Sequence, residues 1–297
     1  MSRRADRTDS PPAAREVTPA MLRDWPLPDT DGGKYGRGQI LVIGGARGTP
    51  GAAQLGGLSA LRVGAGRLTL AVAESVAVPL AVATPEAGVV GLPEDEKGSV
   101  LPSAAERLHD AIGRADAVVI GSGLDDPELT GALLDELRPA LADSTAPVLL
   151  DAFALGVLAG RTGLVADLAG RLVLTPNAEE GARLLEQSDF DPDSDLLPLA
   201  RRYGAVVTAK GRVADGARLW RITSGHSGLG TSGSGDVLAG AIAGLLARGA
   251  EPAQAACWGT HLHAVAGDRL IAAIGPMGFL ARELADALPQ ALAELDR

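Results

Sequence analysis

Short apolar runs alternate along the chain with longer segments whose apolar residues recur at helical spacing. The short runs are rich in Val, Leu and Ile, and each is followed by a glycine or a polar residue, which is typical of buried strands. Strands are therefore predicted at Gln39–Ile43, Arg67–Ala73, Ala117–Ile120, Val148–Leu150, Leu172–Leu174, Val206–Ala209 and Leu219–Ile222.

Helices are predicted between these strands, and several begin at a proline, which suits the first turn of a helix. One begins at Pro50, another begins at Pro127 and should weaken near Pro139, and a third follows Asp236. Further helices are predicted at residues 104–114, 177–187, 252–274 and 278–295. Strands that alternate with helices predict an α/β fold, with a mainly parallel central sheet between two helical layers.

The two ends of the chain differ in composition. Residues 1–17 carry charged residues and prolines without an apolar run, which predicts a disordered tail and no signal peptide. Thr18 and Pro19 form a helix-start signal, and order is predicted to begin there. Residues 18–297 are predicted to form a single domain, because single α/β domains reach this size.

Polar and glycine-rich segments follow the predicted strands, at the point where each strand ends. Ligands bind at this carboxyl-terminal edge in open parallel sheets. The segments are therefore expected to meet in one cleft, and they are GGARG, GSGLDD, Asp151, TPNAEE, Lys210–Gly211 and the loop before Asp236.

The loop before Asp236 is the most informative stretch, GLGTSGSGDVLAGAIAG from Gly228 to Gly244. Glycines crowd ahead of the acid, and an apolar run with helical spacing follows it. The first turn of a helix presents free N–H groups and partial positive charge, and glycine lets a phosphate approach closely. An anion site with a carboxylate is predicted; the alternative is that Ser234 or Asp236 only caps the helix.

Two familiar nucleotide motifs are missing. The spacing GGARG differs from G-x-G-x-x-G, and no acid ends the second strand, so a dinucleotide fingerprint is not predicted. The phosphate-binding loop GxxxxGK[ST] is also absent from the sequence.

Composition narrows the function classes further. The chain has 297 residues with a net charge of −10 and no basic tract, which argues against nucleic acid as a partner. Its one cysteine, Cys257, excludes an internal disulfide and a cluster of cysteine metal ligands. No apolar run has the length of a membrane span without glycine or charge, so the protein is predicted to be cytoplasmic. The apolar C-terminal helices make a homo-oligomer plausible.

The order of the motifs resembles the ADP-dependent NAD(P)H-hydrate dehydratases, a branch of the ribokinase-like superfamily. The resemblance runs from Lys34 to about Leu288. The motifs that carry it are RGQILVIGG, LSALRVGAG, VVIGSGLDD, VLLDAFAL, LVLTPNAEE, AKGRV, GTSGSGDVLAGAIAGLLARG and HLHAVAGD. The resemblance implies a ribokinase-like fold and an enzyme that uses ADP to phosphorylate the hydroxyl of hydrated NADH or NADPH. Phosphate then leaves and the ring double bond returns.

The resemblance also implies roles for individual residues. Asp236 would be the base near the hydroxyl and would contact the substrate. The anion hole for the phosphoryl group would consist of Gly233, Ser234 and Gly235. Nucleotide binding would fall to Gly235 and to the stretch Lys210, Gly211, Arg212, Val213 and Ala214. Substrate contacts would come from Ala52, Gly123 and Asn177.

The sequence departs from the family pattern in two places. TPNAEE stands where the family has TPHPGE, and DAFAL stands where it has DADAL, so Asn177 replaces a histidine and Phe153 an acid. Asn177 and Glu180 spell N-x-x-E, a magnesium and phosphate motif of kinases in the wider superfamily. Magnesium on the phosphates, held through water by Glu180, is therefore expected. An ATP-dependent kinase of a small alcohol, such as a vitamin precursor or a sugar, is the first alternative, and a non-catalytic nucleotide-binding regulator is the second.

Each candidate also has a purely structural interpretation. Asn177 and Asp151 could each cap the helix that follows. Lys210 could be a solvated surface residue. His261 and His263 are two residues apart and diverge on a helix, which indicates packing and no metal pair.

Overall fold

The computed structural model describes residues 13–29, 33–225 and 227–295. Ten strands form one sheet: β1 (Arg15–Val17), β2 (Gln39–Ile43), β3 (Arg67–Ala73), β4 (Ala87–Leu92), β5 (Ala117–Ile120), β6 (Val148–Leu150), β7 (Leu172–Leu174), β8 (Val206–Ala209), β9 (Arg212–Ala214) and β10 (Leu219–Ile222). Their order is β1-β10-β9-β8-β7-β6-β5-β2-β3-β4. Neighbouring strands are parallel except at β9, which is antiparallel to β8 and β10. The predicted mainly parallel sheet is confirmed.

Twelve helices connect or cover these strands in the described residues. They are α1 (Pro19–Arg23), α2 (Gly33–Gly36), α3 (Pro50–Arg62), α4 (Glu74–Ala83), α5 (Ala104–Arg114), α6 (Pro127–Asp143), α7 (Phe153–Gly156), α8 (Ala178–Leu185), α9 (Pro192–Tyr203), α10 (Ser234–Ala247), α11 (Pro252–Ala273) and α12 (Ala281–Ala293). None of them is long and apolar enough to cross a membrane.

The sheet separates two hydrophobic cores because successive side chains of a strand point to opposite faces. In β2, Ile40 and Val42 pack into the core that contains α3, α10, α11 and α12. Leu41 and Ile43 of the same strand pack into the opposite core, with α5, α6, α8 and α9. The predicted three-layer α/β/α sandwich is confirmed.

The predicted start of the ordered chain is wrong by a few residues. Residues 15–17, assigned to a disordered tail over 1–17, form β1, which pairs in parallel with β10 in the register Arg15↔Trp220 to Val17↔Ile222. Pairing at a sheet edge satisfies backbone groups whatever the side chains are, so three residues with one buried valine suffice. Residues 1–12 of the predicted tail lie outside the described residues. The single domain over residues 18–297 stays a prediction.

The helix α6 also differs from expectation. It continues past Pro139 to Asp143 instead of weakening there. A proline removes the hydrogen bond to the carbonyl four residues earlier, here that of Asp135. Because Asp135 is on the exposed side of the helix, water can satisfy this carbonyl group, and the helix persists.

Helices α3 and α10 cross with their backbones nearly touching. A Cβ atom on Gly240 would lie 2.0 Å from the Gly56 carbonyl oxygen, and one on Gly244 would lie 2.6 Å from the carbonyl oxygen of Ala60. Only glycine permits such an approach, so two glycines of α10 set its distance from α3.

We therefore expect Gly240→Ala to lower the free energy of unfolding by at least the 1–3 kcal/mol that is roughly typical of overpacking. The matched control is Gly113→Ala in α5, where an added Cβ meets nothing within 4 Å. The control should be neutral or stabilise by up to about 1 kcal/mol, because alanine favours the helix. Urea unfolding followed by circular dichroism measures the stability of both variants. Equal unfolding midpoints for the two variants would contradict the close approach of α3 and α10.

Candidate active site

The N-cap position of α10 offers no side chain. Its N-cap residue is Gly233, in the left-handed conformation at φ +86°, so no N-cap side chain bonds to the first turn. The alternative that Ser234 caps α10 is therefore wrong, while the Asp236 carboxyl group accepts a hydrogen bond from its own backbone N–H. A Cβ on Gly233 would lie 2.7 Å from Leu55 Cδ1, so glycine is required both by conformation and by space.

Asp236 lies in this first turn and is partly buried. Burial raises the pKa of its carboxyl group, while hydrogen bonds from Ser122 and from its own backbone N–H act in the opposite direction. A carboxylate whose pKa is raised takes up a proton more readily. Asp236 therefore has the position and the proton affinity that a general base requires.

A cavity of about 650 Å³ adjoins the start of α10. Ser234 and Gly235 line it from α10, Asn177 lines it from the start of α8, and Lys210 and Gly211 line it from the β8–β9 turn. The ends of β7, β8 and β10 thus meet the positive end of a helix here, as expected for the carboxyl-terminal edge of the sheet.

The β8–β9 turn explains why lysine and glycine stand together. Lys210 and Gly211 are the two residues between antiparallel strands, with φ +46° and +72°, the combination that a type I′ turn needs. The three following residues are placed differently. Arg212 donates to Asp193 on α9 at 2.6 Å, and Val213 and Ala214 are buried within β9.

Asn177 and Glu180 form a reciprocal capping box at the start of α8. The Glu180 N–H donates to Asn177 Oδ1 at 2.9 Å, and the Asn177 N–H donates to Glu180 Oε2 at 2.8 Å. The interpretation of Asn177 as a helix cap is confirmed. Burial raises the pKa of the Glu180 carboxyl group. One carboxylate oxygen of Glu180 is thus committed to the backbone.

Ala52 and Gly123 lie next to each other, at the start of α3 and in the loop after β5. A Cβ on Gly123, whose φ is +77°, would lie 3.1 Å from the Ala52 Cβ and 2.4 Å from the Thr49 carbonyl oxygen. Thr49 Oγ1 also donates to the Gly123 carbonyl at 2.8 Å. Neither Ala52 nor Gly123 lines the cavity, but Ser122, beside Gly123, reaches Asp236.

Asp151, at the end of β6, does not cap a helix as the sequence allowed, because Ala152 is the N-cap residue of α7. Its side chain is buried. Oδ1 accepts a hydrogen bond from Thr175 Oγ1 at 2.7 Å, and Oδ2 lies 3.3 Å from Ser122 Oγ. Burial, followed by the nearby charge of Asp236, raises the pKa of Asp151 to about 7.

His263 of α11 is a site residue that the sequence did not identify. Its Nε2 lies 3.0 Å from the Ser234 carbonyl oxygen and 2.9 Å from Ser234 Oγ. Burial lowers the pKa of the ring to about 4, so it is neutral near pH 7. A carbonyl oxygen only accepts, so the ring proton is on Nε2. The ring thereby holds the first residue of α10 and leaves the Ser234 hydroxyl proton free for another acceptor.

Comparison with known proteins decides the family. The profile of the NAD(P)H-hydrate dehydratases matches residues 40–290. An ADP-dependent (S)-NAD(P)H-hydrate dehydratase of Xanthomonas campestris is 43% identical over 96% of this chain and 99% of that protein. The chain belongs to the NAD(P)H-hydrate dehydratase family. It also matches bifunctional NAD(P)H-hydrate repair enzymes, of which it spans about half the length.

Solved structures agree with this family and with the ribokinase-like fold. The ADP/ATP-dependent NAD(P)H-hydrate dehydratase of Bacillus subtilis, co-crystallised with ATP and Mg²⁺, matches with a TM-score of 0.74 and 25% identity over 95% of this chain and 99% of that chain. A ribokinase-like superfamily protein from Enterococcus faecalis matches with a TM-score of 0.79 and 24% identity, over 95% and 96% of the two chains.

The buried His263 ring gives a pH-dependent contribution to stability. Its pKa falls from 6.5 to about 4 on folding, so the unfolded chain binds more protons between these values and stability is lost as the pH falls through this window. We expect His263→Gln, which keeps an N–H donor but cannot titrate, to remove this contribution and so to change the slope of stability against pH by up to about 1.4 kcal/mol per pH unit in this window.

Urea unfolding between pH 4 and 7 measures this slope. His109→Gln is the matched control, because the His109 side chain is 73% exposed on α5. The control should retain the wild-type slope. A His263→Gln protein with the wild-type slope would show that His263 is not held neutral.

Proposed function

We propose that the protein restores hydrated NADH or NADPH by ADP-dependent dehydration. The observation that carries this proposal is the placement of Asp236. It lies in the first turn of α10, whose residues Ser234 and Gly235 line a cavity together with Lys210 and Gly211. Membership of the NAD(P)H-hydrate dehydratase family supports the choice of substrate.

The reaction begins with phosphoryl transfer to the ring hydroxyl. Asp236 takes the hydroxyl proton while the oxygen attacks the β-phosphorus of ADP, so that an O–P bond forms and the bond to the leaving AMP breaks. The N–H groups of the first turn of α10 and its dipole stabilise the charge on the transferred group. Phosphate then leaves with the C–O electron pair, and the neighbouring carbon loses a proton as the ring double bond returns.

Two groups of residues would bind the two substrates. Lys210, Gly211 and Gly235 on the cavity side would bind ADP, with Ser234 and Gly233 completing the anion hole. Ala52 and Gly123, on the α3 side, would contact the hydrated dinucleotide. Ser122, next to Gly123, hydrogen-bonds to Asp236, which supports a base between these two groups of residues.

Magnesium fits this arrangement as an ion held mainly by phosphates and water. No group of three or more His, Cys, Asp or Glu residues in the described part of the chain could hold a metal alone. Mg²⁺ typically needs only one or two carboxylates beside phosphate oxygens. Glu180 has one carboxylate oxygen outside its capping bond and could hold a magnesium-bound water. The ion would neutralise charge on the phosphates. A homo-oligomer stays a prediction.

The first test of the function is the set of products. Hydrated NADH with ADP should give AMP, free phosphate and restored NADH, detected by its absorbance. A stable phosphorylated product would favour the kinase alternative. ADP should also raise the melting temperature by mass action. If neither ADP nor ATP shifts the melting temperature, both the dehydratase and the kinase functions would be contradicted.

Replacement of the base tests its role. Asp236→Asn should lower kcat by about 100-fold or more, the usual minimum for a general base, while the ADP-induced thermal shift persists. The matched control is Asp286→Asn on α12, where the exposed carboxylate pairs with Arg62. This control should keep the wild-type rate. An Asp236→Asn enzyme with more than about a tenth of that rate would exclude Asp236 as the base.

Variants of the capping box distinguish the dehydratase from the kinase alternative. Because Asn177 Oδ1 and Glu180 Oε2 each accept from the other residue's backbone, the N-x-x-E motif has a structural explanation. Asn177→Asp should leave stability nearly unchanged, and Asn177→Ala should cost about 0.5–2 kcal/mol. Both variants should depend on magnesium as the wild type does. A weaker magnesium dependence in the Ala variant, measured as rate against magnesium concentration, would support the kinase.

A further inference from the structure

One hydroxyl group, that of Ser122, lies between two carboxyl groups. Its Oγ is 3.3 Å from Asp151 Oδ2, and it also hydrogen-bonds to Asp236. A serine hydroxyl has a single proton to donate, and an ionised carboxylate only accepts. If both acids were ionised, one of the two contacts would join two acceptors. A proton on one of the two acids would give each of these contacts a donor and an acceptor.

The surroundings place this proton on Asp151. Asp151 is 6% exposed, whereas Asp236 is only partly buried. Ionisation is disfavoured most where water is most completely excluded. The charged groups that face Asp151 are Asp236 on α10 and Glu180 on α8, and both anions favour its neutral form. Thr175 Oγ1 donates to its Oδ1, which leaves Oδ2 to carry the proton towards Ser122.

We propose that Asp151 is a positioning residue which, in its neutral form, donates to Ser122 and thereby directs the Ser122 hydroxyl proton to Asp236. The hydrogen bonds then run in one direction, from Thr175 to Asp151, from Asp151 to Ser122 and from Ser122 to Asp236. In this series the Ser122 hydroxyl accepts from Asp151 and donates to Asp236, and Thr175 Oγ1 is the first donor. The chain ends on Asp236, which stays ionised and fixed for proton abstraction. The inference rests on the proposed role of Asp236 as the base.

The backbone around Asp151 is built to hold this contact. A Cβ on Gly121, at φ +126°, would lie 1.9 Å from the Asp151 carbonyl oxygen, so glycine lets the loop that carries Ser122 lie against Asp151. On the other side, Ala152 has a φ of +49°, a strained conformation for alanine. Such strain persists only where contacts with the surrounding residues fix the conformation.

The protonation state has a direct spectroscopic test that does not involve turnover. Infrared spectra of the wild-type protein at pH 6 should contain the C=O band of a protonated carboxylic acid. This band should be missing from Asp151→Asn and should disappear from the wild type as the pH rises through about 7. A wild-type spectrum without a band that Asp151→Asn removes would overturn the proposal.

Kinetics test the positioning role. Asparagine cannot ionise, but its amide can donate to Ser122 and accept from Thr175, so Asp151→Asn should retain at least about a third of kcat near pH 6.5. Asp151→Ala removes the donor and should lower kcat about tenfold or more, part of the 10²–10⁴-fold that a well-placed base contributes. Ser122→Ala should have a similar effect. In the double variant the losses in kcat from Ser122→Ala and Asp151→Ala should not add, because both substitutions interrupt the same series of hydrogen bonds.

The pH profile separates this role from a merely structural one. Above about pH 7 Asp151 loses its proton, two acceptors face Ser122, and the wild-type kcat should fall. Asp151→Asn should lack this fall. An Asp151→Asn enzyme that is folded yet as slow as Asp151→Ala, or one that keeps the alkaline fall, would overturn the inference. A wild type without turnover would contradict the proposed function instead, and the infrared result would still stand.

Discussion

The contact between α3 and α10 is the constraint on which the site depends. Gly240 lies against the Gly56 carbonyl, and the Asp236 carbonyl oxygen is 3.4 Å from where a Gly56 Cβ would be. The first turn of α10 is therefore held directly on α3, whose own first turn carries Ala52 beside Gly123. A side chain at the crossing would push α10 outward and separate Asp236 from Ala52 and Gly123. The glycines that follow Asp236 thus serve packing, and Gly233 before it is required by its left-handed conformation and by Leu55.

The central strands could be predicted closely because strands buried on both faces read as continuous apolar runs. The three remaining strands lack that signal. β1 has one buried residue, β4 is glycine-interrupted and half-exposed at the opposite edge, and β9 is a three-residue return strand that begins with a charged arginine. Their place in the sheet comes from backbone pairing with a neighbour, which leaves little trace in the side-chain pattern. β9, which directly follows the turn at Lys210–Gly211, is likewise identified by its backbone pairing and not by its side chains.

The site was predictable where its residues stand at strand ends or helix starts, and not where they act across the fold. Lys210 and Asn177, which motif order singles out, line the cavity, whereas the roles of Asp236 and Gly123 stay predictions. The contact of His263 with Ser234 and that of Asp151 with Ser122 join residues far apart in the sequence, and each has an ordinary local explanation. A histidine on an apolar helix indicates packing, and an aspartate after a strand indicates a cap, until the neighbouring elements are in place.

Burial favours the neutral forms of Asp151 and His263. It raises the pKa of Asp151 and lowers that of His263. The two shifts have opposite consequences for stability. The contribution of Asp151 is present at low pH and is lost as the pH rises towards 7, whereas that of His263 is present above pH 6.5 and is lost as the pH falls towards 4. Over the range they share, the slopes oppose each other. A buried acid and a buried base can therefore lie in one site without making the fold steeply sensitive to pH.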